Sequence, residues 1–252
     1  MTHPHTSPTG ALTGQHVLVL GGTSGIGLAT ALAAAAEGAT VTVVSSRAES
    51  VRRALESLPA GSTGRAVDLT DGAAVTEMVD DVAGSVGRID HLVYTAGEPL
   101  TPMPLAELDG DRARSFFQLR FFGALSAVHA VLPHLSAAGS ITLVTGTFGD
   151  RPGPGWAVPA AICGAMESLT RALALELAPV RVNVVRPGVT RSPLWQSLSD
   201  DDRAELYRQT AATVPLGRVG EVEDIAAAFL FCMTQSFASG SVVTVDGASV
   251  LA

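Results

Sequence analysis

Along most of the chain, short apolar runs rich in β-branched residues alternate with longer stretches in which alanine and leucine recur every three or four positions. The runs HVLVL (16–20), TVTVVS (40–45), GRAVD (64–68), DHLVY (90–94), SITLVT (140–145), VRVNVV (180–185) and SVVTV (241–245) predict strands. The stretches at 25–37, 48–58, 71–86, 111–135, 157–178 and 221–235 predict helices. Helices between successive strands suit parallel pairing, because the chain must return to the same end of the sheet before each new strand. The runs are apolar on both faces, as strands covered from both sides require. The expected fold is therefore α/β, a doubly wound parallel sheet of about seven strands in a single domain over residues 14–252. Residues 1–13 read as a flexible N-terminal tail. The segment 188–219, with Pro193, Pro215 and Gly217, reads as a lid carrying a short helix.

Composition narrows the class. The length of 252 residues fits one large domain, and 47% hydrophobic against 16% charged residues argues against disorder. Mean hydropathy is +0.34, largely from alanine. No uninterrupted apolar run approaches the ~20 residues of a bilayer span, so no membrane contact is expected. The start, MTHPHTSPTGALTG, has no basic end and no apolar stretch, so a secretory signal is not expected. Cys163 and Cys232 are too few for a disulfide framework and suit a reducing cytoplasm. With a net charge of −8 and scattered arginines, a nucleic-acid-binding face is not expected. His91, His129 and His134 are too dispersed to suggest a metal site. The chain has no lysine, and its two tyrosines are Tyr94 and Tyr207.

The first strand runs into Gly21-Gly22-Thr23-Ser24-Gly25-Ile26-Gly27 and then into LATALAAAAEG. A glycine-rich turn opening a helix after a strand cradles phosphate: small residues let backbone N–H groups come close, and the helix N-terminus favours negative charge. In the first strand–helix–strand unit this points to a dinucleotide and a Rossmann-type sheet. The spacing Gly21-x-x-x-Gly25-x-Gly27 resembles the short-chain dehydrogenase/reductase family, and the resemblance covers nearly the whole chain from about residue 14. Asp68-Leu69 resembles that family's adenine contact, and Thr95-Ala96-Gly97 its Asn-Ala-Gly turn with threonine in the asparagine's place. Pro187-Gly188 followed by Ser192 resembles the segment holding the nicotinamide carboxamide. Pro215-Leu216-Gly217-Arg218 and Val245-Asp246-Gly247 resemble the C-terminal signature.

The resemblance implies a nicotinamide cofactor held by Gly21, Thr23, Ser24, Gly25, Ile26 and Gly27, by Asp68 and Leu69, by Ala96 and Gly97, and by Pro187, Gly188 and Ser192. The second strand ends in Ser45-Ser46-Arg47, with no carboxylate to hold a ribose 2′-hydroxyl. Ser46 and Arg47 suit a 2′-phosphate, so NADP(H) is expected over NAD(H). The other reading of Arg47 is a helix-start arginine in solvent.

In the chemistry that the resemblance implies, hydride passes between nicotinamide and a carbonyl carbon while a tyrosine moves the proton. A lysine one helical turn on lowers the tyrosine's pKa, a serine holds the substrate oxygen, and an asparagine supports a water relay. Gly139-Ser140-Ile141 and Glu167-Ser168-Leu169-Thr170-Arg171-Ala172-Leu173 fix the register. On it the serine position is Gly146, the tyrosine Pro159, the lysine Cys163 and the asparagine Arg120. No shift restores a lysine that the chain lacks, and Pro159 has neither an ionisable group nor a backbone N–H. A positioned general acid is worth ~10²–10⁴ in rate, or roughly 3–5 kcal/mol. Reduction of an unactivated ketone is therefore expected to be poor, while an iminium ion, which needs no proton on oxygen, suffers less.

Substitute chemistry has several candidates. Arg120 would bind a carboxylate or a developing oxyanion, or else pair structurally with Glu98 or Asp150. Thr145 or Thr147 offers a hydroxyl beside Gly146. Cys163 is a nucleophile or a small apolar filler. Tyr207 would bring a phenol into the pocket on lid closure, or else packs a helix; Tyr94 reads as a wall residue, and Trp156 as a stacking surface or packing. The first functional reading is an NADP(H)-binding oxidoreductase with an atypical site, acting on an activated (iminium or conjugated) small molecule. The second is a non-redox cyclase, isomerase or lyase using the same pocket. The third is a catalytically silent nucleotide-binding regulator or subunit. The resemblance also implies a homodimer or homotetramer through the helices at 111–135 and 157–178.

Overall fold

Seven strands pair in one parallel sheet in a computed structural model that describes residues 10–252. In chain order they are β1 (His16–Leu20), β2 (Thr40–Ser45), β3 (Thr63–Ala66), β4 (Ile89–Tyr94), β5 (Leu135–Val144), β6 (Arg181–Pro187) and β7 (Val242–Val245). Their spatial order is β3-β2-β1-β4-β5-β6-β7, so the winding reverses between β1 and β4. Such a reversal leaves a crevice beyond the carboxyl ends of the strands, where sheets of this kind bind ligands.

Successive side chains of a strand point to opposite faces, and β1 divides accordingly. Leu18 and Leu20 join one core with Leu92, Val128 and Met166, while Val17 and Val19 join the other with Val43, Ile225 and Phe229. Helices α3 (Gly72–Val86), α5 (Gly123–Val131) and α6 (Ala157–Glu176) cover the first face, with α4 (Gly110–Phe117) leading into α5. Helices α1 (Gly25–Ala36) and α8 (Val222–Thr234) cover the second, and α2 (Ala48–Ser57) packs beside β3.

Several expectations need adjustment. Residues 1–9 of the expected tail lie outside the described residues; at 10–13 the chain is a turn whose Leu12 is buried in the second core, so the packed domain starts before residue 14. The helix expected over 111–135 is α4 and α5 joined by a π turn at Gln118–Phe122 and closed by a 3-10 turn at Leu132–His134. The lid segment holds a longer helix than expected, α7 (Asp200–Thr213), and is tied down: the Leu100 N–H donates to the Leu194 carbonyl at 3.2 Å and the Ser197 hydroxyl to the Leu100 carbonyl at 3.0 Å. Two helical stretches, Gly110–His134 and Ala157–Glu176, are by length and composition apolar enough to cross a membrane, with mean hydropathy 1.3 and 1.2. A search for unbroken apolar runs misses them because polar residues punctuate both.

Candidate active site

Beyond the carboxyl ends of the strands lies a cavity of about 860 Å³. Its floor is set by close backbone contacts. Gly21 follows β1 at φ +86°, and a Cβ there would stand 2.5 Å from the Ala96 nitrogen. A Cβ on Gly27 would stand 2.2 Å from the Gly21 carbonyl oxygen. The glycine turn, the first turn of α1 and the Thr95-Ala96-Gly97 turn therefore pack without room for side chains, and all three line the cavity.

The α1 N-terminus is left open. Ser24 precedes it in extended conformation without a side-chain capping bond, and no acidic residue sits in the first turn. The leading N–H groups of a helix are unpaired by construction, and among the described residues no side chain claims them. That is the chemistry a diphosphate requires. Thr23, Ser24, Gly25 and Ile26 line the cavity at this point.

Every residue expected to hold the nucleotide lines this one cavity. Ser46 and Arg47 stand at one end, joined by Ser50 and Arg53 from α2, two residues that sequence reading missed. Their signal was helical spacing, since Ser50 and Arg53 fall on the face of α2 that continues from Ser46. Asp68 and Leu69 lie nearby. The Asp68 carboxylate accepts from the Thr70 N–H at 2.9 Å and its hydroxyl at 2.8 Å, bonds that hold its pKa below the ordinary value. Pro187, Gly188 and Ser192 stand at the other end, with Pro193 to Gln196 of the lid segment beyond them.

The residues that the family resemblance aligns with the catalytic positions are brought together. Arg120, Gly146, Pro159 and Cys163 all line the cavity, with Thr145 and Thr147 beside them. Arg120 comes from the π turn, whose backbone is held by Tyr94: the phenol donates to the Leu119 carbonyl at 2.6 Å. The guanidinium lies over Gly97, where a Cβ would meet Nη1 at 2.5 Å. Its Nη2 donates to the Glu98 carbonyl oxygen, and its Nε stands 3.2 Å from Glu98 Oε2, misaligned for a hydrogen bond. The Phe116 ring covers it at 5.8 Å. Burial lowers the Arg120 pKa, opposed chiefly by Glu98. Burial raises that of Glu98, opposed chiefly by Arg120. Of the two structural partners considered, Arg120 takes Glu98, while Asp150 and Glu167 pair with Arg186. Glu98 itself lines the cavity and was missed as a functional residue; a carboxylate directly after the Gly97 turn was the available signal.

The other candidates divide. The Thr145 hydroxyl donates to the Cys163 carbonyl at 3.2 Å, leaving its oxygen lone pairs free to accept. Cys163 is buried and its thiol pKa is raised, first by burial, which suits a filler rather than a nucleophile. Tyr207 does not line the cavity, in keeping with the second of its two readings, packing of a helix; it lies on α7 with the Arg191 guanidinium carbon 4.5 Å from its ring centroid. Tyr94 is no wall residue either, being sealed in the core with burial raising its pKa. Trp156 stacks on Phe148 with ring centroids 4.6 Å apart, so its face is already taken on that side.

A family profile described as an SDR-like Rossmann domain matches residues 9–252. The chain belongs to the short-chain dehydrogenase/reductase family. Among its relatives is the short-chain dehydrogenase/reductase malC of Malbranchea aurantiaca, 30% identical over 254 residues that cover 95% of this chain and 96% of the relative. A solved structure titled as the MalC reductase/Diels-Alderase of that organism superposes with a TM-score of 0.90 at 27% identity, covering 97% of this chain and 99% of the other. A small-chain dehydrogenase solved in complex with NADPH superposes with a TM-score of 0.81 at 33% identity, covering 94% of this chain and 99% of the other. The short-chain dehydrogenase/reductase membership makes this an oxidoreductase fold.

Proposed function

We propose that the protein binds NADP(H) in this cavity and exchanges hydride with an activated small molecule, an iminium ion or a conjugated acceptor. The observation that carries the reading is one cavity lined both by an intact nucleotide cradle and by Gly146, Pro159 and Cys163 at the emptied catalytic positions. The open α1 N-terminus would take the diphosphate, and Pro187, Gly188 and Ser192 the carboxamide. Ser46, Arg47, Ser50 and Arg53 would take a 2′-phosphate. A relative solved with NADPH supports the preference.

Bound NADPH would supply hydride. The chain's own part is to bind, orient and exclude water. Leu100, Ile162, Met166, Leu194 and Trp195 give the cavity an apolar wall. Arg120 and a hydroxyl of Thr145 or Thr147 would orient the acceptor. Self-association into dimers or tetramers is part of the proposal, supported by the outward Phe122, Leu125 and Leu132 on the long helical stretch.

The test is NADPH oxidation against a panel of iminium ions, conjugated ketones and simple ketones. Activated acceptors are expected to turn over, with simple ketones slower by about 10²–10⁴. Simple ketones reduced as fast as iminium ions would contradict the reading. A second reading, ring formation without net redox change, is favoured by the likeness to the reductase/Diels-Alderase structure. It predicts product formation with NADP⁺ in place of NADPH.

A further inference from the structure

The cavity leaves proton transfer unassigned. Among the described residues that line it, the side chains able to exchange a proton near neutral pH are Asp68, Glu98 and Cys163. Asp68 lies beyond β3, its carboxylate held by Thr70, and it stays an anion. Cys163 is a buried thiol made a weaker acid by its surroundings.

Glu98 differs from both. It directly follows the Thr95-Ala96-Gly97 turn at the end of β4, on the crevice where the winding reverses. Its Oε2 is buried without a hydrogen bond, although Arg120 Nε stands 3.2 Å away. The guanidinium is fixed to the same residue at a second point, the Glu98 carbonyl. A carboxyl so placed can be neutral when it gives up a proton and stabilised as an anion afterwards, because the cation that receives its charge is already in position. Burial raises the Glu98 pKa, so the protonated form persists to higher pH than at a free carboxyl.

We propose that Glu98 is the proton-transfer residue of this site and that neutral imines are its substrates, protonated by Glu98 to the iminium form while Arg120 stabilises the carboxylate. The proposal rests on the redox reading of the cavity. In the first step the Glu98 O–H bond breaks and an N–H bond forms at the imine nitrogen. Bound NADPH would supply the hydride, its nicotinamide C4–H bond breaking as a C–H bond forms at the imine carbon and the C=N π pair moves to nitrogen. The products are an amine and NADP⁺, and Glu98 regains its proton from water. The titratable and charged groups that face Glu98 are Arg120 from the π turn and Tyr94 from β4, with Cys163 of α6 reaching it through Arg120.

The experiment compares a dihydroisoquinoline with its N-methylated iminium salt, which is permanently charged and needs no proton. Where the free imine is neutral in solution, Glu98→Gln is expected to lose about 10²-fold or more in kcat on it. On the salt it keeps kcat within a few-fold while KM rises, and Glu98→Asp recovers part of the loss on the imine. A readout without turnover uses NADP⁺: bound imine absorbs as the protonated species with the wild type and as the neutral one with Glu98→Gln. An unchanged rise in thermal midpoint with NADPH establishes that the variant is folded. Equal loss of kcat on both substrates, or loss on neither, would overturn the role of Glu98. A wild type that binds NADPH, protonates the imine and reduces neither compound would instead overturn the redox reading.

Discussion

At Gly97 the missing side chain decides where Arg120 lies. A Cβ there would stand 2.5 Å from Nη1, so Gly97→Ala must displace the guanidinium from its seat over the turn. The atoms it meets are the far end of a flexible side chain, so the cost is expected toward the low end of about 1–3 kcal/mol, read by urea unfolding. Arg120→Leu tests the pair from the other side. It strands a carboxylate whose side chain is 27% exposed, so the cost is expected at about 1–3 kcal/mol, below that of a fully buried pair. The sign with pH follows from linkage. Without Arg120 the Glu98 pKa rises further in the folded state, so the native protein binds more protons than the unfolded chain. The deficit is therefore expected to grow as pH rises from about 4 to 7, and a deficit that shrinks over that range would contradict the pairing.

At the scale of elements, the opposite rim of the sheet carries a second polar network. His91 on β4 meets Ser140 on β5 at 2.8 Å and Gln15 at 2.6 Å, while His16 on β1 meets Thr42 on β2 at 3.1 Å. Burial lowers the His91 pKa from 6.5 to about 4, and it lowers that of His16 as well. Each stays neutral in the fold while the unfolded chain takes up its proton, so stability is lost as pH falls through about 6.5 toward 4. For His91 the loss is on the order of 3 kcal/mol, and His91→Gln is expected to flatten that acid limb in unfolding measured at several pH values. On the nucleotide rim, Ser46→Asp places a carboxylate at the end of β2. NADPH affinity is expected to fall about tenfold or more in a calorimetric titration while NADH affinity rises. These elements differ in how far the chain reveals them. Runs such as HVLVL and TVTVVS are rich in β-branched and apolar residues that fall on both faces, and read directly as covered strands. The π turn at QLRFF does not, because its residues look like any apolar stretch of helix. Its extra residue is held by distant contacts, the Tyr94 phenol on the Leu119 carbonyl and the tight seat of Gly123 against Tyr94 and Leu69. Register could place Arg120 at the site, but its pairing with Glu98 depends on that turn. The two readings of Tyr207 could not be separated for the same kind of reason, since the ring's neighbour Arg191 comes from outside its own helix.

Over the whole molecule, apolar surface remains where the long helices face outward. Phe122, Leu125 and Leu132 are 49%, 37% and 38% exposed along one stretch. Sedimentation is expected to show dimers or tetramers, and the paired change Leu125→Asp with Leu132→Asp to shift the population to monomer; a wild-type monomer would contradict this. The cavity belongs to the same scale, because its lining comes from the ends of β2, β5 and β6, the segments that follow β1, β3 and β4, and helices α2 and α6. The central claim is that a working NADP(H) cradle has been kept while its usual acid/base pair has been lost. Its most direct test is the thermal midpoint with and without NADPH and NADH at equal concentrations. A ligand that binds the native state alone stabilises it by about 2.7 kcal/mol at a hundredfold excess over its Kd. The account predicts a clear rise with NADPH and a smaller one with NADH. No shift with either nucleotide, at concentrations that shift an ordinary reductase of this family, would contradict it.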